Sequence, residues 1–513
     1  MKVLFKKALC AILALMVVAC MFSACRKNDD GADTNVGGTS GSPTEENKDT
    51  SSDGPRNEKL DASFASANFT FFDECPGVMY TAYNGYNNPI SEKFIACDDV
   101  DGIYCSTYEY NVDGRLTAFT LSFYNYDGYA EKVDIFRAEY DVQTGIGEVL
   151  VEAVKNSQYS STVEYHDNGV IKNVTIMQGT KLVISKEFDS LGRCVQYADL
   201  YTSTGSVYDA DSYTASSCTY TEGEFSTTVS LTYTDGMISS ASFNGGEETY
   251  KYDLEHTSDK KNLQKSMVYE YEGTDLSDQY SIEFTYTASG LFTSIIFTDY
   301  QDGVKGSSQK MEYLYNENGL MTKETRDNYD QTGKKQSGSV CDVEYDENKN
   351  IVKVTDKRYD GNDALINGIV TAMEYDSSNH VTKRQRYALA ADGITQTLGS
   401  ETIYEYDQNG NVSKEVNLSY NDSGEIVYHH EYIYDYEYDE NNIITKLTAA
   451  SINYDSTGKI NYQSRWENEY VNGVITKRTT YEYNNPNDPN EITATRITTY
   501  NADGTSSSTV VTG

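Results

Sequence analysis

Five histidines, nine cysteines and a single tryptophan are the residues of this 513-residue chain best suited to chemistry, and their spacing supports little of it. His166, His256, His380, His429 and His430 belong to no HExxH. The chain also has no GxSxG and no GxxxxGK[ST], which removes the common zinc-protease, serine-hydrolase and phosphate-loop chemistries. His429 and His430 are adjacent, so in a strand their rings point to opposite faces and do not chelate together. Carboxylate pairs such as Asp435 and Glu437 are too numerous for spacing to single out an acid–base couple. Aspartates in turn-like segments lack the density of a calcium loop. No CxxC is present, which excludes zinc ribbons and thioredoxin-type redox motifs. Trp466 stands at a strand position, where it either packs or stacks on a sugar ring. The expectation is a chain with no catalytic residue, no metal and no cofactor, and therefore not an enzyme.

The elements that would carry any site begin after an export signal. Lys2, Lys6 and Lys7 precede an apolar run over residues 8–24, which ends Phe22-Ser23-Ala24-Cys25. This resembles the lipobox of bacterial lipoproteins, which implies a signal peptide over 1–24 and Cys25 as the lipid anchor, its thiol carrying a diacylglyceryl group. Val17-Val18-Ala19-Cys20 is a second candidate within the same run. The other readings are an uncleaved membrane helix or a plain secretory signal. Residues 25–58 hold almost no large apolar side chain and cannot bury enough surface to offset their ordering entropy. They read as a lipidated, disordered linker reaching about 30 Å. The expected location is the extracytoplasmic face of the cell membrane. Export permits disulfides among Cys75, Cys97, Cys105, Cys194, Cys218 and Cys341; Cys75 with Cys97 or Cys105 is one pairing, and isolated buried thiols are the other reading.

Composition narrows the partners. Asp plus Glu number 79 against 41 Lys plus Arg, a net charge of −38. Such a field repels nucleic acid and other polyanions, so no nucleic-acid partner is expected. The six prolines are Pro43, Pro55, Pro76, Pro89, Pro486 and Pro489, leaving none from residue 90 to residue 485. At ordinary usage about twenty would fall there. Proline is excluded from central strands, and the alternation of apolar and polar residues favours strands over helices. In 412–420, Val412, Lys414, Val416, Leu418 and Tyr420 share one face and Ser413, Glu415, Asn417 and Ser419 the other.

The 46 tyrosines are organised by a repeat. Tyr is followed by Asp or Asn, two free residues and Gly, as in Tyr315–Gly319, Tyr329–Gly333, Tyr406–Gly410, Tyr420–Gly424 and Tyr454–Gly458. Asp or Asn suits the first position of a type I turn. Gly three residues on takes the left-handed conformation that closes a hairpin with a G1 bulge. Asn379 and Asn442 replace the glycine in two copies, and Lys349 in another, where strain or a different turn is expected. Tyr233-Thr234-Asp235-Gly236 and Tyr470-Val471-Asn472-Gly473 carry the dipeptides of two-residue hairpins. Equivalent tyrosines at 286, 315, 345, 375, 406, 438, 470 and 500 recur every 29 to 32 residues, with intermediate turns between them. Each half-period leaves a strand of about eleven residues, roughly 36 Å. A lysine column at 323, 353, 383, 414, 446 and 477 is expected opposite the residue two before the turn tyrosine, on the tyrosine face. A glutamate column at 344, 374, 405, 437 and 469 is expected on the other face.

These motifs resemble the YD-repeat, or Rhs-repeat, family, whose core is seen here as Tyr406-Asp407-Gln408-Asn409-Gly410-Asn411-Val412. The resemblance covers roughly residues 105–510. It implies an all-β chain of tandem antiparallel hairpins forming a long twisted or spiral sheet over 105–513. Residues 59–104 read as an N-terminal cap, with Phe69, Phe71 and Phe72 over the first hairpin. The closing residues read as one more repeat, with no toxin segment expected after it. The chain looks instead like short lipid-anchored repeat proteins. The functional expectation is a membrane-anchored binding or adhesion module for an extracellular glycan or a surface protein; a non-binding envelope component and a polysaccharide-acting enzyme are the alternatives.

Overall fold

The computed structural model describes residues 66–512, apart from 73–74, 99–101, 126–130, 152–153, 210–211, 441–443, 472–473, 484–491 and 501–505. Cys20, Cys25, the leader and linker, Asn442 and the Asn472-Gly473 turn lie outside the described residues. Every described element is a β-strand, 33 of them, numbered β1 to β33 in chain order, and no helix occurs among the described residues. The expected all-β array of antiparallel hairpins is what the chain forms. Pairing runs in chain order, each strand antiparallel to the next, as in Lys323–Tyr329 against Lys335–Asp342 and Lys353–Tyr359 against Leu365–Ala372.

The turns explain this order. In Asp330–Gly333, the Gly333 amide donates to Asp330 O at 2.9 Å and the Asp330 amide to Lys334 O at 3.0 Å. Asp330 Oδ1 accepts from the amides of Thr332 and Lys334 at 2.9 and 3.0 Å, and Gly333 has φ of 80°. The same set recurs at Asn316, Asp360, Asp407, Asn421 and Asp455. A short acceptor one residue after the tyrosine thus fixes the reversal. Lys349 keeps the same turn, its amide donating to Asp346 O at 3.1 Å, and sits at φ 68°. The strain is there and the different turn is not. Asp235 (φ 52°) and Gly236 (φ 78°) form the expected two-residue hairpin.

The repeat turns at Tyr329, Tyr345, Tyr359, Tyr375, Tyr406, Tyr420, Tyr438 and Tyr454 carry a bulge at the tyrosine, and the bulge overturns the expected register. Tyr345 pairs with Ile351 and Glu344 with Lys353. The same shift sets Glu374 opposite Lys383, Glu405 opposite Lys414, Glu437 opposite Lys446 and Glu469 opposite Lys477. Counting the loop as three residues left out the extra residue of the bulge. The lysine and glutamate columns therefore share one face, and the tyrosines hold the other.

The chain divides into two compact units, a first drawn from residues up to Lys310 and a second from Met311 onward. In the first, β1 (Ser66–Phe72), β2 (Cys75–Tyr83), β3 (Pro89–Ala96) and β4 (Gly102–Tyr110) lie inside the core. Phe69, Phe71 and Phe72, expected to cover the first hairpin, reach far along the chain: Phe71 stacks on Tyr220 at 4.2 Å and Phe72 on Tyr197 at 4.8 Å. Buried polar groups follow the same long route. Asn68 donates to Tyr213 O at 3.0 Å and accepts from the Ala215 amide at 2.8 Å. Glu92 and Lys186, each almost fully buried, pair at 2.5 Å; Lys186 also donates to Ser106 at 2.8 Å and Tyr108 to Glu92 at 2.7 Å. Gly192, at φ 78°, faces Asn87 O at 1.8 Å from where a Cβ would stand, so no other residue fits there. Among the described residues, no disulfide joins the six cysteines.

In the second unit the strands from Met321 to Tyr454 run 9 to 13 residues. Burial there is shallow: every residue of Val412–Tyr420 is half-buried, on both faces. The two-sided alternation expected for this segment is one of residue type and not of depth.

Candidate functional site

The repeat tyrosines must first be sorted into those that hold the fold and those left for a ligand. The hydroxyl of Tyr375 donates to Ile351 O at 2.8 Å, that of Tyr345 to Met321 O at 2.7 Å and that of Tyr406 to Val381 O at 2.7 Å. Tyr286 does the same to Leu263 O in the first unit at 2.5 Å. Each of these four turn tyrosines thus bonds the first residue of the strand that follows the preceding turn on its edge. A net hydrogen bond of this kind stabilises by about 0.5–1.5 kcal/mol. Sequence reasoning missed this role; its signal is the constant separation of 23 to 25 residues between tyrosine and acceptor. His256 stands at a turn-tyrosine position and acts likewise, Nε2 bonding Ile238 O while Nδ1 accepts from Tyr80 at 2.7 Å. Burial lowers the pKa of this ring.

The other histidines are also placed. His166 Nε2 bonds Phe188 O at 2.7 Å, and buried His380 bonds Asp376 at 3.1 Å and lies over Tyr406. As expected, His429 and His430 face opposite sides. His429 stacks on Tyr454 at 4.3 Å and bonds Glu431 at 3.1 Å, while His430 bonds Tyr428 at 2.8 Å and Ser451 at 2.7 Å. No group of three His, Cys, Asp or Glu side chains arranged for a metal ion occurs among the described residues.

One strand of the second unit stands apart. β28 (Ile426–Tyr438) reads IVYHHEYIYDYEY, so Tyr428, His430, Tyr432, Tyr434, Tyr436 and Tyr438 alternate onto one face. Their rings form a continuous ladder. His430 and Tyr432 are 4.4 Å apart, and Tyr432, Tyr434, Tyr436 and Tyr438 follow at 6.3, 6.4 and 6.2 Å with interplanar angles of 12°, 27° and 29°. Tyr438 donates to the Asp407 carboxylate and accepts from Asn411 at 2.6 Å. Among the described residues, the hydroxyls of Tyr432, Tyr434 and Tyr436 have no hydrogen-bond partner. Burial, with Glu415 nearby, pushes the Tyr434 phenol up to about 12; burial raises Tyr432 and Tyr436 too and lowers His430. At neutral pH the ladder is uncharged, flat and rich in hydroxyls.

Flanking strands extend it. β26 (Gln396–Tyr406) places Tyr404 opposite Glu415 of β27 (Val412–Tyr420), which in turn opposes Tyr432. β29 (Ile444–Tyr454) places Ala449 opposite Tyr434, and β30 (Ile460–Val471) places Trp466 opposite Ala449. Aromatic rings therefore stand on alternate strands of one face. Trp466 is half-buried on this face.

No family model matches the chain, and no curated protein matches it. Among solved structures, the crystal structure of TcdB2-TccC3-TEV is similar over 83% of this chain and 25% of that one, at 12% identity and a TM-score of 0.30. TcdB2-TccC3 without its hypervariable C-terminal region is similar over 85% and 27%, at 12% identity and a TM-score of 0.29. The chain thus spans about a quarter of those chains' length. A porin-like protein from Bacteroides uniformis ATCC 8492 is similar over 48% of this chain and 93% of its own, at 11% identity and a TM-score of 0.19. TM-scores this low carry no functional meaning for this chain.

Proposed function

We propose that this chain is a lipid-anchored, extracytoplasmic binding module whose second unit offers the β28 aromatic ladder to glycan chains. The observation that carries this reading is the ladder itself: three phenols whose hydroxyls the fold leaves unused, in a chain where turn tyrosines such as Tyr345, Tyr375 and Tyr406 are spent on backbone carbonyls. Tyrosine supplies a large, rigid surface that is apolar on its faces and polar at its tip. That matches a sugar ring, which has C–H faces and hydroxyl edges. The anchor at Cys25 and the linker to residue 58 would hold this face away from the membrane.

The test is a glycan array probed with the full chain purified in detergent, beside Tyr432→Ala and Tyr434→Ala variants. Binding to at least one polysaccharide that either variant weakens by about tenfold or more supports the reading. Binding to no glycan, with folded protein by circular dichroism, favours a spacer without a ligand of its own. For the anchor, Cys25→Ala should release the protein from membranes, and continued membrane association would refute it.

A further inference from the structure

Cations are sorted by face in the second unit. On the face opposite the ladder, Lys383 bonds Glu401 at 3.1 Å, Lys414 bonds Glu431 at 3.3 Å, Lys446 bonds Glu467 at 3.3 Å, Lys477 bonds Glu469 at 2.7 Å and Arg465 bonds Glu467 at 2.7 Å. All five are neutralised within the sheet. The ladder face carries arginines instead. On β25 (Val381–Leu389), Arg384 opposes Thr402, which opposes Asn417, which opposes His430 of the ladder; Arg386 lies on the same face two residues on. On the far side, Trp466 opposes Thr480 of β31 (Val474–Tyr483), which opposes Arg496 of β32 (Ile492–Tyr500).

Arg384, Arg386 and Arg496 are exposed and, among the described residues, have no ion-pair or hydrogen-bond partner. Arg478, also exposed on this face, donates to Asn468 at 2.9 Å. Two strand carboxylates share the face, Glu415, held by Asn417 at 2.6 Å, and Glu482, and the turn carboxylate of Asp407 meets it at Tyr438. So four guanidinium groups face three carboxylates, in a chain of net charge −38. Acidic side chains are abundant enough to pair every arginine, yet three are left open beside the aromatic rings.

Resting on the reading of the ladder as a glycan platform, we propose that its ligand is an acidic polysaccharide lying across the strands. Tyr404, Tyr432, Tyr434 and Trp466 would take the ring faces. Arg384 and Arg386 at one end and Arg496 at the other would take carboxylate or sulfate groups, the planar bidentate pairing for which guanidinium is suited. At the usual strand spacing, the β25 arginines lie about 14 Å from β28 and Arg496 about 19 Å from it, so the ligand is a chain of several sugars.

The experiment is titration of the full chain in detergent with polygalacturonate, a sulfated glycosaminoglycan and a neutral β-glucan, at low and high salt. The variants are Arg384→Gln with Arg386→Gln, Arg496→Gln, and Lys353→Gln with Lys477→Gln as the opposite-face control. The expected result is salt-sensitive binding of one acidic polymer. Both arginine variants should weaken it about tenfold or more while leaving the melting temperature unchanged, and the lysine control should have no effect. Arginine variants that bind as the parent does, or a neutral glucan bound equally well and without salt dependence, overturn the acidic ligand and leave the platform standing. Single-stranded DNA bound as tightly as the glycan also overturns it. Failure to bind any of the three polymers or any glycan of the array overturns both readings.

Discussion

The two units share one turn chemistry and are held together in different ways. In the first, strands β1 to β4 contribute a filled core, and the bonds that define it join residues far apart in the chain: Asn68 to Tyr213, Tyr80 to His256, Glu92 to Lys186. In the second, the defining bonds are more local, from turn tyrosines such as Tyr345, Tyr375 and Tyr406 to a carbonyl 24 or 25 residues earlier, and burial of Val412–Tyr420 is shallow on both faces. The difference teaches that a repeat sequence specifies its hairpins locally but does not specify whether they enclose anything. The shallow unit leaves rings and arginines open.

The largest effect expected from breaking this contrast lies at the buried ion pair. Removing one partner, as in Glu92→Leu or Lys186→Met, strands the other charge in the core and should cost about 3–5 kcal/mol. Calorimetry should show this loss in the first unit's transition, with the second unit's little changed. Replacing both together should recover most of it. If the single variants melt like the parent, the core of the first unit is not organised around this pair.

A smaller effect separates the units by pH. Burial lowers the pKa of His256, so the folded first unit favours the neutral ring. The unfolded ring has the ordinary value of about 6.5. Below that pH the unfolded chain takes up a proton that the folded one resists. Stability present above about pH 6.5 is therefore lost as pH falls towards the folded value. His256→Gln should flatten this part of the first unit's pH–stability curve. His430, also lowered by burial but open to the ladder face, should add a similar dependence to the second unit, which His430→Gln would remove.

How much of this was legible follows from the range of each interaction. Asp330, Gly333 and their equivalents announce a turn because donor and acceptor lie within four residues. The all-β class follows from those turns and from the missing prolines. The lysine–glutamate pairing was misplaced because the bulge adds a residue that no side chain marks. The core made by Phe71 and Tyr220 was invisible because nothing local in β1 names a partner so distant. Of the candidate site, Trp466 and the His429/His430 facing were readable. The ladder on β28 was present in the alternation of its strand, but in a chain with 46 tyrosines it stands out only once the others are seen to be bonded.

The smallest effects test the local half of the comparison. Tyr375→Phe keeps the ring and removes the hydroxyl that donates to Ile351 O and lies 3.8 Å from the Met373 sulfur, so the second unit should lose about 1 kcal/mol and the first nothing. Lys349→Gly works in the other direction. Lys349 occupies the left-handed region at φ 68° in a turn whose other copies mostly use Gly or Asn, a conformation that costs a side-chain-bearing residue about 1–2 kcal/mol. Glycine adopts it freely but loses more entropy on folding, by roughly 0.5–1 kcal/mol. The net gain should be a few tenths to about 1 kcal/mol, confined to the second unit's transition. A gain seen equally in both transitions would mean that the units unfold as one, and the division between a filled and a shallow half would then be geometric without being thermodynamic.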